Sequence, residues 1–109
     1  MSARAALLCG AVLLYPGSAA AEFPVELMKP WYAAVSKACA RNDPDNAGRY
    51  AAGFKRMMAL HPDAARALVS KKDFPHLDET IAHDIATMQA SALQRDCHVL
   101  LELAAGREP

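Results

Sequence analysis

Beyond residue 30 the apolar positions recur every three or four residues, the spacing that lines side chains along one face of an α-helix. Residues 30–41 place Trp31, Tyr32, Val35, Ala38 and Cys39 on one face. Residues 44–60 do the same with Ala47, Tyr50, Ala51, Phe54, Met57 and Met58, leaving Arg49, Lys55 and Arg56 outward. A third run, 62–71, is short and alanine-rich, with Leu68 and Val69 as its expected anchors. The fourth, 76–105, carries Ile81, Ile85, Met88, Ala92, Val99 and Leu103 along one stripe and Leu93, Cys97, Leu100 and Ala104 along an adjoining one. Its second half is therefore apolar around much of its circumference, which predicts a central place in a bundle. No stretch alternates with period two in β-branched and aromatic residues, the signature of a strand. The pattern predicts an all-α fold, a small four-helix bundle.

The breakers agree with this division. Pro30, Pro44, Pro62 and Pro75 each precede an apolar-periodic run, and proline suits the first helical position because that N–H has no intrahelical partner. Asp43 and Asp73 stand where they could cap the following helices. Asp45, Asp63, Asp78 and Glu79 fall in first turns, complementing the helix dipole. Residues 22–29 read as a lead-in that tucks Phe23, Leu27 and Met28 onto the bundle, Phe74 as an anchor in the connection 72–75, and residues 106–109 as a frayed tail.

The chain before this region has a different plan. Arg4 is followed by a mostly apolar run over residues 5–15, then Pro16 and Gly17, then the small residues Ser18, Ala19, Ala20 and Ala21. A short basic start, an apolar stretch and small residues ahead of a cut site make a secretory signal, with cleavage expected after Ala21. The apolar run is well short of the roughly twenty residues that cross a bilayer. The expected product is one domain, residues 22–109, without a membrane span and in a bacterial periplasm. Losing Arg4 from twelve basic residues matched by twelve acidic ones turns a net charge of zero into −1.

Cleavage also removes Cys9 and leaves Cys39 and Cys97, both on predicted apolar faces. Two such thiols in an oxidising compartment pair, and closing a loop of this length contributes about 4 kcal/mol in the chain-entropy model. A small domain rich in alanine needs such a staple. In outline, with one cysteine early and another late on a long helix, the chain is similar to small periplasmic helical immunity proteins that neutralise cell-wall amidase effectors. The likeness is architectural and carries over no site residue.

Charge and composition narrow the function classes. Balanced charge without a basic block argues against a nucleic-acid partner. The chain has no glycine-rich phosphate loop, no Gly-x-Ser-x-Gly elbow and no Cys/His nucleophile pattern, so it is not expected to be an enzyme. His76, His83 and His98 lack the spacing of a zinc site, and Asp96, at the border of the apolar stripe, is expected to pair with Arg41 or Arg49. Cys97-His98 has Gln94 where covalent haem attachment needs a second cysteine. A metal or haem carrier is the alternative reading: Met57 and His61, four residues apart, suit Cu(I), and Met28 with His98 is a conceivable haem pair. The favoured reading has no cofactor: an exported helical protein that acts by binding another envelope or secreted protein, as an inhibitor or immunity-like protein, a chaperone or an accessory subunit. Its expected contact surface is the loops that gather Arg41, Asn42, Asp43, Lys71, Lys72, Phe74 and His76, because loops on a rigid scaffold concentrate binding residues.

Overall fold

A computed structural model describes residues 23–107 of the chain. The expected export signal, residues 1–21, lies outside the described residues. Those described form five α-helices and one 3₁₀ turn, with no strand among them: α1 Val25–Asn42, the turn Pro44–Asn46, α2 Ala47–Leu60, α3 Pro62–Arg66, α4 Leu77–Ala86 and α5 Ala90–Ala104. No helix among them is long and apolar enough to cross a membrane.

The all-helical class follows from the periodicity, and so does most of the core. Val35, Ala38 and Cys39 of α1, Tyr50 and Met57 of α2, Ile81 and Ile85 of α4, and Leu100 and Leu103 of α5 make one buried cluster, with Trp31, Tyr32, Leu93 and Cys97 packed against it. Helix α1 is the hub: it packs against α2, α3, α4 and α5, while the most extensive interface joins α2 to α5. The loop between α1 and α2 is only a 3₁₀ turn long, so the two helices return against each other as an antiparallel pair.

The α2–α5 interface depends on a glycine. A side-chain carbon at Gly53 would overlap the carbonyl oxygen of Leu100 and lie 2.7 Å from its carbonyl carbon. Only a residue without Cβ lets the two backbones come this close, and Leu100, fully buried, fills the seam. Helix α5 then ends on Gly106, whose φ of 86° is the left-handed conformation of a Schellman cap. The Gly106 N–H donates to the carbonyl of Leu103 and the Arg107 N–H to that of Glu102. Arg107 also grips the Glu102 carboxylate in a two-pronged ion pair. The expected fraying of the tail is thus absent as far as residue 107.

Three helix boundaries differ from expectation. Helix α1 starts at Val25, not at Pro30, which lies inside it. Pro24 is the residue that stands extended ahead of the helix, its carbonyl accepting from the Leu27 N–H; Pro30 forfeits only the bond to Glu26. The expected helix 76–105 is two helices. Thr87 closes α4 by turning its hydroxyl back onto the carbonyls of His83 and Asp84, and Gln89 is extended before α5 restarts. Helix α3 ends at Arg66, since Ala67 is extended. Leu68, expected as an anchor, is consequently turned out to solvent and 90% exposed, while Val69 is half-buried.

Candidate functional site

The paired cysteines are the first chemistry the fold brings together. Cys39, near the end of α1, and Cys97, in the middle of α5, are bonded across a separation of 58 residues with Cα atoms 5.7 Å apart. The bond ties the hub helix to the helix that packs on Gly53. The Cys39 side is sealed, and the Cys97 side is half-buried.

Three of the surface grooves around this frame take up predicted contact residues. The first, about 440 Å³, runs between α1 and α4: Pro30, Ala33, Ala34, Lys37 and Arg41 form one wall, and Asp78, Ile81, Ala82, Ile85 and Ala86 the other. Both sets follow helical spacing, so each wall is one stripe of one helix. The second, about 530 Å³, is bounded by the loop after α3, with Val69, Lys71, Phe74, Pro75 and His76, and by the first turn of α4. Pro30 and Asp78 belong to both, so the two grooves meet there. The third, about 350 Å³, lies over the disulfide between Asn42, Asp43 and Tyr50 on one side and Leu93, Gln94 and His98 on the other.

The predicted contact residues are distributed over these grooves. Lys71, Phe74 and His76 come together in the second, with Phe74 half-buried at its wall and His76 3.3 Å from the Glu79 carboxylate. Arg41 belongs to the first, whereas Asn42 and Asp43 line the third. Lys72 is exposed on the turn of residues 71–73. Periodicity assigns Ile81 and Ile85 to a core stripe and passes over Pro30, Ala33 and Ala34. The signal for a groove was their size: alanines at the contact leave space that leucines would fill.

Asp43 has a structural task different from the expected cap. Its side chain makes no cap bond; instead its Oδ2 accepts from the Tyr50 hydroxyl at 2.8 Å and from Asn46 Nδ2 at 2.9 Å. These donors, Asn46 foremost, hold the carboxyl below its ordinary pKa, while burial, then the Asp43 bond, pushes the Tyr50 hydroxyl up. Asp96 does not meet Arg41 or Arg49. It sits half-buried on α5, close enough to Tyr32 of α1 to raise that hydroxyl further beyond what burial does. Burial in turn raises the Asp96 carboxyl against the pull of neighbouring Arg95. Arg49 donates to the Asn46 amide oxygen.

The residues considered for metal are dispersed. Met57 is in the core, while His61 is exposed at the end of α2. Met28 lies eleven residues up α1 from Cys39, about 17 Å along the axis, whereas His98 adjoins Cys97. Among the described residues no three of His, Cys, Asp and Glu converge as metal ligands. Compared with known protein families, curated proteins and solved structures, the chain finds no match.

Proposed function

We propose that this chain is exported to a bacterial periplasm, loses residues 1–21, and works there by binding another envelope or secreted protein through the grooved face formed by α1, α4 and the loop 67–76. In this reading α1, α2, α4 and α5 act as a four-helix bundle with α3 as a one-turn connector. The Cys39–Cys97 bond supports export, since structural disulfides form and persist in oxidising compartments. The observation that carries the binding role is the junction of two open grooves at Pro30 and Asp78. Apolar walls and charged rims there present Phe74, an aromatic anchor among polar neighbours, of the kind that dominates interfaces. An inhibitor or immunity-like protein, a chaperone and an accessory subunit all use such a face.

The test is affinity capture from periplasmic extract with the natural protein and two variants, Phe74→Ala and Lys71→Glu, alongside intact mass under non-reducing conditions. The expected result is a trimmed, oxidised chain that retains a partner, with the partner lost from Phe74→Ala and weakened by Lys71→Glu. An untrimmed chain with free thiols, or the same captured proteins from all three baits, contradicts the proposal.

A further inference from the structure

Among the described residues, helix α4 is the one long helix whose extensive packing is with α1 alone. Its buried residues Ile81 and Ile85 therefore border a groove instead of a third helix. The walls along this groove are short, with Ala33 and Ala34 on α1 and Ala82 and Ala86 on α4. From Pro30 to Arg41 it extends about 17 Å at 1.5 Å per residue, the length of three helical turns.

Charge is sorted along it. Pro30 and Asp78, shared with the neighbouring groove, mark one end, and Asp78 and Glu79 lie there in the first turn of α4. Lys37 and Arg41, one turn apart on α1 and exposed, stand toward the other. Acidic and basic ends thus face outward from an apolar floor.

We infer that this groove is the seat of an amphipathic helix from the partner protein, lying antiparallel to α1, with carboxylates in its first turn against Lys37 and Arg41 and a cation in its last turn near Asp78. An acidic first turn and a basic last turn are what the helix dipole favours in any helix, and that polarity matches the groove in one direction only. Apolar side chains at i, i+3, i+4 and i+7 meet Ile81, Ile85 and the alanines, the usual way a helix is read in a groove. This inference rests on the protein-binding role proposed above and specifies the chemistry of what binds.

The probe is a fluorescein-labelled peptide of three to four turns with leucines at i, i+3, i+4 and i+7, two glutamates in its first turn and two lysines in its last; a second peptide has the charges exchanged. Fluorescence anisotropy with the oxidised protein is expected to show saturable binding of the first and much weaker binding of the second. Lys37→Glu with Arg41→Glu, both at exposed positions, should weaken the first peptide roughly tenfold, since a favourable rim pair becomes a repulsive one at each site, and should strengthen the second. Ala82→Trp, which plugs the groove without altering charge, should weaken both. Equal binding of the two peptides, no binding of either, or indifference to the charge reversal overturns the inference. If the natural partner is still captured through Phe74 while the Lys37/Arg41 reversal leaves it untouched, the binding role stands and the helix-in-groove assignment falls.

Discussion

The α2–α5 interface and the α1–α4 interface are built from the same residue types with opposite results. In the first, Gly53 brings two backbones into contact, Leu100 is fully buried and the cysteine bond anchors the neighbouring turn to α1. In the second, alanines face each other across a groove of about 440 Å³. Small residues draw helices together where a large side chain locks into the seam from one side. Where alanines line both rims, as here on either side of Ile81 and Ile85, they leave a trough. The tight half serves as frame and the loose half as surface, and each can be perturbed separately.

The largest effect is expected from the bond that fixes the frame. Replacing Cys39 and Cys97 together by alanine should cost about 4 kcal/mol, the entropy of opening a loop of 58 residues, read as a lower midpoint in urea unfolding. A loss under about 1 kcal/mol would mean that the noncovalent seam alone holds the frame. Gly53→Ala comes next. The new carbon collides with the Leu100 backbone, which no rotamer change can relieve, and overpacking of this kind costs about 2–3 kcal/mol. The same change at Gly48, where nothing lies within 4 Å, should stabilise by about 0.5 kcal/mol through the unfolded chain. Opposite signs from one substitution at two positions of one helix is the sharpest check on the contrast; two losses of similar size would erase it.

What the chain disclosed in advance divides along similar lines. The buried stripes of α1, α2 and α4 and the pairing of Cys39 with Cys97 were legible because a 3.6-residue period is a property of the helix itself. The closeness of α2 to α5 was not. Gly53 in the middle of a helix reads only as a weak helix former, and its purpose appears once Leu100 lies opposite. The end of α3 was hidden for a related reason: Ala64, Ala65, Arg66, Ala67 and Leu68 are all good helix formers, yet the chain must turn toward α4, so Ala67 extends and Leu68 is spent on solvent. Of the candidate surface, the loop residues Lys71, Phe74 and His76 were found by composition. Lys37, Ala33 and Asp78 were not, because a groove is a relation between two helices and each helix alone shows only an ordinary amphipathic face.

A smaller effect should separate the α1–α2 turn from both interfaces. Tyr50→Phe removes the hydroxyl that donates to Asp43 and is expected to lower the melting temperature at neutral pH. Asp43 has its pKa depressed in the fold, first by Asn46 and then by Tyr50. Its stabilising contribution is therefore present above the ordinary carboxylate range and lost as pH falls through the depressed value. The gap between Tyr50→Phe and the natural protein should close in acid. A gap that stays constant with pH would assign the loss to packing of the ring instead of to the carboxylate.

Asp96 carries the opposite sign and the smallest change. It is half-buried where α5 faces Tyr32 of α1, and burial raises its carboxyl while Arg95 offsets part of that rise. A carboxyl that holds its proton more tightly in the fold than in the unfolded chain favours folding fully below its unfolded value and progressively less as pH climbs to the raised one. At neutral pH the ionised group is therefore a net liability, in contrast to Asp43. Asp96→Asn keeps the shape and removes the charge, so the melting temperature should rise at neutral pH, with the advantage gone near about pH 3, where both forms are uncharged. The change touches the side of α5 turned toward the hub helix and leaves the Gly53 seam and the α1–α4 trough as they are. A variant that melts lower at neutral pH would mean that the Asp96 carboxylate holds α1 against α5, and the frame would then owe part of its rigidity to charge as well as to close packing and the cysteine bond.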